Sequence, residues 1–452
     1  MIDEMEPVTF ASSPSMGLMS RLLAFQRKFS ENRMVRAGVQ MTGFRFLSLG
    51  VGAAGSIWAA RCLGPEKTGI SGVVLATSTQ MALFATFNQD VGLIRRYKEM
   101  SDTVQQNGLI AGIVTQRILA AIILITLGWI AMWVSHVPSQ FTVPALLGSA
   151  LFFFTTNTPN WLLQARENMP AQYRMTALQA CLSAALIAIF FRPGMPAGSD
   201  LAVTLVVTLV TSFFIWKIAL LNRHSFSLSL DAAWTEAPLL WQGRWLFLTG
   251  LVVYLYTSSE QPILAYFGSV RQLGQYRSAL QITGAIQPFL TMFAALLYPR
   301  YVEWHRAGPL HLWVMQVRIV KFMVVPLAVI GLLIAATVPK FQPLVFGEKF
   351  APAAVPCVYL LLAKLVVVVN SVFSFGLWAR KKDKATLAIM CGTAIISVLS
   401  NLLLVPRFGM LAAAMTNCAS ELIILMGTFT LTWWLVRQIR SEKQQRDPEQ
   451  EG

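Results

Sequence analysis

Arg45, Arg117, Glu260, Lys364 and Glu421 stand inside apolar stretches of the chain where charge is expensive. Each lies in a run of roughly twenty residues otherwise poor in charge, long enough for a helix to cross about 30 Å of hydrocarbon. An ionisable group at that depth costs several kcal/mol unless it is paired or faces water. The set therefore predicts either ion pairs between helices or a wet polar cavity, cationic because bases outnumber acids. Arginine in such a cavity suits a phosphate, since its planar, permanently charged fork binds phosphate oxygens bidentately. Helical rise places Arg45 about 12 Å from one membrane surface, with Arg117 at similar depth. Lys364 falls nearer the middle of a later span. Arg45, Arg117 and Lys364 form the candidate anion-binding set. Glu260, about two-thirds of the way across its own span, is the candidate ion-coupling carboxylate, for a proton or Na⁺. The bland alternative for it is a static pair with Arg45 or Arg277.

Other polar residues fit plainer roles. Asp90, Lys217, Arg318 and Lys321 fall near span ends, where snorkelling explains them, or for Asp90 pairing with Arg95 and Arg96. Asp90 and Glu421 are read as structural intramembrane charges. Asn157, Asn160, Asn370, Asn401, Asn417 and Gln281 are expected mainly to hydrogen-bond between helices. Pro159, Pro288 and Pro326 are expected to kink their spans. Gly50-Val51-Gly52-Ala53-Ala54-Gly55 fits a dinucleotide fingerprint only as a string, because no strand precedes it. Small residues in a span instead allow close helix approach. The chain has no phosphate-binding G-x-x-x-x-G-K-[ST] loop and no long loop bearing paired carboxylates, so it reads as neither an ATPase nor another enzyme. Its scattered cysteines (Cys62, Cys181, Cys357, Cys391, Cys418) and histidines make no metal-ligand pattern and read as packing and loop residues; no metal or cofactor is expected.

These residues are positioned by an all-α, polytopic membrane fold. Of the 452 residues 55% are hydrophobic and only 13% charged, and mean hydropathy is +0.58, far from the roughly 25% charge of soluble domains. Hydropathy and turn signals give about twelve spans: 37–60, 70–94, 108–134, 142–165, 172–191, 201–221, 244–267, 275–299, 314–338, 353–378, 385–404 and 409–436. The net charge of +15 would suggest nucleic acid in a soluble protein, but Lys and Arg cluster in alternate loops as the positive-inside rule expects. One side holds Arg27, Lys28, Arg33, Arg36, Arg95, Arg96, Lys98, Arg166, Arg174, Arg300, Arg306, Arg380 to Lys384 and Arg437 to Arg446; the other holds Arg61, Lys67, Arg192, Arg271, Lys340, Lys349 and Arg407. That excess, roughly threefold, predicts both termini in the cytoplasm. The acidic start (Asp3, Glu4, Glu6) does not read as a signal peptide. Leu18, Leu22, Phe25 and Phe29 share a helical face suited to the membrane surface.

Two echoes suggest an internal repeat. Asn157 to Arg166 resembles Asn370 to Arg380, and Gly64 to Gly69 is echoed by Gly268 to Gly274, each pair about six spans apart. The organisation read from this is a cytoplasmic N-terminal segment with an interfacial helix (1–36), a six-helix bundle (37–221), a cytoplasmic linker (222–243), a second six-helix bundle (244–437) and a polar cytoplasmic tail (438–452). Parallel repeats of this kind commonly hold a substrate site between them.

Ala59 to Gly69 after the first span, Asp90 to Tyr97 at the end of the second, Leu297 to Arg300, Phe346 to Phe350, Val405 to Gly409 and Ser420-Glu421 follow one another in a recognisable order. On these motifs the chain resembles the O-antigen and polysaccharide-repeat flippases of the exporter superfamily that also holds multidrug antiporters. The resemblance implies two six-helix bundles in a V, alternating access, and an undecaprenyl-diphosphate-linked oligosaccharide as cargo in a bacterial inner membrane. It also implies a cationic cavity lined by spans one, two, seven and eight, where Arg45, Glu260 and Arg277 fall, although Arg277 lies close to the outer end of its span. Membrane lipid and a polysaccharide polymerase or glycosyltransferases are the expected partners. A multidrug antiporter would instead favour an acidic, aromatic cavity for organic cations, and a non-transporting partner of a polysaccharide synthase would tolerate neutral residues at the deep charges.

Overall fold

With no water at bilayer depth, each backbone N–H and C=O must be satisfied internally, and among the described residues of the computed structural model every regular element is a helix. The structure describes residues 33–220, 227–286, 297 and 300–446. The surface helix read at Leu18 to Phe29, Pro288 and the end of the polar tail lie outside the described residues. In chain order the helices are α1 (Arg33–Thr86), α2 (Asp90–Glu99), α3 (Thr103–Val134), α4 (Thr142–Asn157), α5 (Asn160–Ala165), α6 (Met169–Phe190), α7 (Ser199–Leu220), α8 (Leu230–Glu236), α9 (Pro238–Gln242), α10 (Arg244–Ser258), α11 (Glu260–Phe267), α12 (Val270–Gly284), α13 (Pro309–Phe346), α14 (Ala354–Ala379) and α15 (Asp383–Arg446).

Seven of the described helices are long and apolar enough to cross a bilayer. Two of them are long enough to cross twice. The 54 residues of α1 would run about 80 Å if straight, but Gly64 sits at φ 76°, ψ 170° and Pro65 follows it, which breaks the run into spans one and two. In α15 Gly409, at φ 59°, does the same three residues after Pro406. Only glycine adopts such angles without a steric cost. The fourth span is α4 with α5, parted at Thr158-Pro159, and the seventh is α10 with α11, so about twelve spans stand. Pro326 does not interrupt α13, which runs unbroken through Pro326, Pro339 and Pro343. The span expected at 314–338 is correspondingly longer.

The first repeat echo has a structural counterpart. Arg166 and Arg380 cap α5 and α14, and the residues that follow, Glu167 and Lys381, are both left-handed at φ 58°. In each, the third residue's N–H returns five positions, from Asn168 to Leu163 and from Lys382 to Leu377, a Schellman-type ending built twice. The second echo is a contact. Gly69 lies against the Val270 carbonyl, and Gly274 lies against the Pro65 carbonyl. Each motif's glycine thus admits the other's backbone, and a Cβ at either would collide with it.

Other small residues do similar work. Gly55 packs on Ala184 and Gly52 faces Ala180, whereas Gly50 meets nothing within 4 Å, so close approach accounts for two of that motif's glycines. Separate cores form on the two sides of the 222–243 segment. One joins Leu93, Ile110, Trp161, Leu162 and Ala219; the other joins Leu264, Tyr276, Cys357, Leu360 and Ala413. Span ends sort into a basic face, carrying 95–98 and 380–384, and an opposite face carrying 61–69, 268–275 and 344–350. Within the segment 222–243 the described residues form α8 and α9.

Candidate functional site

At the opposite face the two sets of spans are clasped together. Besides the reciprocal glycine contact, Arg61 donates from Nε to the Val345 carbonyl at 2.6 Å and from its fork to Leu344. Both acceptors lie in the last turn of α13, whose carbonyls have no helical partner. Arg277 on α12 donates to the Thr68 carbonyl at 3.4 Å and faces Asp200 electrostatically. Asp200 in turn accepts from Ser71 Oγ at 2.5 Å. Beneath lies a cavity of about 180 Å³ whose walls include Ser56, Thr68, Asp200, Arg277 and Gln281. The Thr68 hydroxyl and the Gln281 carbonyl oxygen are buried there without a partner.

Deeper, on span one, Arg45 is half-buried. Its Nη1 donates to the Tyr173 hydroxyl of α6 at 3.2 Å, and its guanidinium carbon lies 5.8 Å from that ring's centroid. A phenol is a weak partner for a full charge, so the fork keeps most of its capacity for a ligand. Arg117 is different. It is 5% exposed, and its Nη2 meets Asp90 Oδ1 at 2.6 Å, while its Nε has no partner. Asp90 therefore pairs with Arg117 and not with Arg95 or Arg96. Those two turn to Glu99 (3.1 Å) and Glu236 (3.6 Å), because positions five and six residues on from Asp90 along α2 face other sides of the helix than the one that meets α3.

The second set of spans gathers charge at mid-depth. Glu260, the first residue of α11, is 1% exposed and accepts from the Tyr276 hydroxyl at 3.3 Å. Lys364 on α14 is near enough to act electrostatically on both Glu260 and Glu421. Its charge is therefore shared between two carboxylates. Glu260 takes Tyr276 and Lys364 as neighbours, not the Arg45 or Arg277 of the plainer alternative. Tyr254 faces Glu260 and Tyr256 faces Glu421, and Gln80 of span two donates to the Tyr254 hydroxyl, tying this cluster to the first set. Arg45, Arg117, Arg277 and Lys364 thus have different neighbours, and no described contact joins any two of them.

Sequence reasoning missed Tyr173, Tyr254, Tyr276 and Gln80. The available signal was a hydroxyl or amide within a span, which in hydrocarbon needs a partner as surely as a charge does. The amides divide. Asn370 Oδ1 accepts from Ser374 and, across helices, from Thr428, both at 3.1 Å, whereas Asn157 bonds its own helix at the Phe153 carbonyl. Among the described residues no group of His, Cys, Asp and Glu is arranged to hold a metal.

The sequence matches the family described as "Polysaccharide biosynthesis protein" over residues 41–305. A protein described as "Putative O-antigen transporter" of Escherichia coli (strain K12) is 24% identical over 251 residues, 53% of this chain and 58% of that protein. The chain therefore spans little more than half the length of that curated relative. The solved structure of lipid II flippase MurJ in its inward closed conformation superposes with a TM-score of 0.71 at 12% identity, covering 87% of each chain. An inward-facing multidrug resistance MATE family transporter of the MOP superfamily gives 0.60 at 15% identity, covering 87% of this chain and 96% of that one. These likenesses show the fold, and the proteins so named are transporters and a flippase rather than enzymes.

Proposed function

Because the chain belongs to the polysaccharide biosynthesis protein family, we propose that it is an inner-membrane flippase carrying a polyprenyl-diphosphate-linked oligosaccharide across the bilayer by alternating access, for surface polysaccharide synthesis. The basic face is cytoplasmic in this reading, as are both termini. The observation that carries the proposal is Arg45, a half-buried guanidinium in a span, whose one hydrogen-bond acceptor among the described residues is a phenol. A diphosphate leaving water needs fixed positive charge and hydrogen-bond donors to offset its desolvation, and Arg45 supplies both.

In this scheme the clasp at the opposite face keeps the pathway shut on the periplasmic side while the head group reaches Arg45. Arg117 would join it only by exchanging Asp90 for a phosphate oxygen. Lys364 would accept the head group as the halves rock, at the expense of its hold on Glu260 and Glu421. Arg277 would meet it last, on release of Thr68. Glu260 is the coupling carboxylate, binding a proton or Na⁺ once Lys364 turns to the cargo. A polymerase or glycosyltransferases would act on either side of this step.

The test is flipping of a fluorescent polyprenyl-diphosphate disaccharide in vesicles containing the purified protein, alongside reporter fusions at Lys67, Lys349, Arg96 and Lys382. Flipping should be fast with wild type and slower by about ten- to a hundredfold with Arg45→Ala, with fusions at Lys67 and Lys349 periplasmic and those at Arg96 and Lys382 cytoplasmic. Uptake of an organic cation with no flipping would mean a drug antiporter. Neither activity would mean a non-transporting partner.

A further inference from the structure

The segment joining the two sets of spans builds a surface to which the proposed transport cycle assigns no role. Ser229 caps α8, accepting from the Ala232 N–H at 3.1 Å, and the helix docks against α3. The Ser229 N–H donates to Thr115 Oγ1 at 3.1 Å, Gln116 Nε2 donates to the Ala233 carbonyl at 2.6 Å, and Glu236 pairs with Arg96. Gly112 makes the fit possible, since a Cβ there would come within 2.6 Å of the Ala232 carbonyl. This docking buries Ala233 and Glu236 and turns Leu230 and Trp234 outward, at 60% and 78% exposed. Trp241 and Trp245 continue the same outward surface, at 72% and 61%.

The depth of this surface follows from α3. A bilayer core of about 30 Å takes about 20 helical residues, and counting back from Val134 reaches the neighbourhood of Thr115, the residue that receives the linker. The three indoles therefore lie at the membrane–water boundary on the basic face, where the amphipathic indole ring is most favourably placed. Between two of them stands Arg244. Its guanidinium carbon is 4.7 Å from the Trp241 ring and 5.6 Å from the Trp245 ring, and Nη1 donates to the Trp241 carbonyl at 2.8 Å. Arginine carries five N–H donors, and Arg244 takes no part in the described ion pairs.

A cavity of about 380 Å³ opens beside it, with Gly243, Gln242, Gln89, Arg95, Arg96 and Glu99 in its walls. Gln89 is 5% exposed, and its Nε2 is buried with no acceptor. A buried amide N–H in a cavity rimmed by arginines calls for an anionic oxygen.

We infer that the linker surface of Trp234, Trp241 and Trp245, with Arg244 and the adjoining Gln89 cavity, seats the phosphate of an anionic phospholipid of the inner leaflet. The indoles lie among the upper acyl chains and glycerol backbones. The Arg244 fork and Gln89 Nε2 supply donors to the phosphodiester. Arg95 and Arg96, less their pairing to Glu99 and Glu236, hold the local potential positive. A bound lipid would then stand at the one covalent connection between the two halves. The inference rests on the cytoplasmic placement of the basic face but needs no transport.

The experiment measures lipid retained by the intact protein in native mass spectra after extraction from vesicles of equal phosphatidylglycerol and phosphatidylcholine, together with quenching of tryptophan by brominated acyl chains. Wild type should retain phosphatidylglycerol over phosphatidylcholine by about fivefold. Arg244→Gln and Gln89→Leu should each bring that ratio close to one, with unchanged insertion. Changing Trp234, Trp241 and Trp245 to Ser together should remove most of the shallow quenching. Equal retention of the two lipids by wild type, or a ratio unmoved by Arg244→Gln, would overturn the inference. So would displacement of the lipid by millimolar inorganic phosphate, which would mark a site for soluble anions. Preferential retention of a polyprenyl diphosphate would also overturn it, by making this surface part of the cargo path. Loss of flipping with lipid retention intact would count against the flippase reading alone.

Discussion

Two regions built on the same backbone signals handle buried charge in opposite ways. The first set of spans neutralises Arg117 with Asp90 and leaves Arg45 held by the Tyr173 phenol. The second brings Glu260 and Glu421 to one lysine at mid-depth and surrounds them with tyrosines. Yet both end their fourth span, α5 and α14, with the same Arg, left-handed residue and return hydrogen bond. A repeat of this kind preserves what the backbone needs at a helix end and leaves span interiors free to diverge. The chemistry of one half consequently does not carry over to the other by symmetry.

The comparison breaks most visibly at Lys364. Substituting Met there should strand two buried carboxylates and destabilise the protein by about 3–5 kcal/mol, the usual cost of removing one partner from a buried charge cluster. The readout is thermal unfolding in detergent. Adding Glu260→Gln and Glu421→Gln to Lys364→Met should recover most of that loss. If Lys364→Met alone melts like wild type, the second half holds no charge cluster and the contrast between halves fails.

Arg117 and Asp90 should give a smaller effect of the same kind. Asp90 is half exposed, its side chain at 50%, so solvent screens the pair, and either single neutralisation should cost about 1–3 kcal/mol. Arg117→Met with Asp90→Asn should restore both stability and flipping if the pair is structural. Restored stability with flipping still absent would instead place Arg117 in the cargo site.

Arg45 sharpens the contrast, because its substitution should separate function from stability. Arg45→Ala should cost about ten- to a hundredfold in flipping rate, the worth of lost charge-assisted bonds to phosphate, while unfolding shifts little. Arg45→Lys should be intermediate, having the charge without the fork. Tyr173→Phe, which removes only the orienting hydroxyl, should cost a few-fold at most. Wild-type flipping by Arg45→Ala would remove the anion site from the first half.

Hydropathy made the helical class and most spans legible, because a bilayer leaves a polar backbone few alternatives. Gly64-Pro65 and Pro406 to Gly409 marked the breaks for the same reason. The deep charges stood out by composition alone. Their partners did not. Asp90 lies closer in sequence to Arg95 and Arg96 than to Arg117, but partner choice depends on how each helix is rotated about its axis, and hydropathy does not report rotation. Tyr276 and Tyr173 went unread because a tyrosine in a span counts as apolar until its hydroxyl is asked where it bonds. The helical linker was hidden by its length, since α8 has seven residues, too few for a periodicity to register. The reciprocal seating of Gly69 and Gly274 was half visible, as a similarity of two motifs with no hint that they touch.

The smallest effect probes the shared helix ending itself. Glu167 and Lys381 occupy equivalent left-handed positions, and a side chain there costs roughly 1 kcal/mol relative to glycine, partly offset by glycine's greater freedom in the unfolded chain. Lys381→Gly should therefore stabilise by about 0.5–1 kcal/mol. Glu167→Gly should gain less, because it also removes the 2.6 Å bond from Lys98 Nζ to Glu167 Oε1. That bond holds the Glu167 carboxyl below its ordinary range, chiefly by hydrogen bonding and then by charge. A depressed carboxyl contributes its stabilisation above the unfolded-state value near 4.3 and loses it as pH falls through the lower folded-state value. The gap between the two glycine variants should accordingly be present at pH 7 and close as the solution is acidified below about pH 4. The exposure of both side chains, 49% for Lys98 and 78% for Glu167, keeps the gap small, so it is best read as a difference in melting temperature between the variants across a pH series. A gap that persists at low pH would show that the two endings differ in backbone strain, and that the repeat is less alike at its helix ends than the matched angles imply.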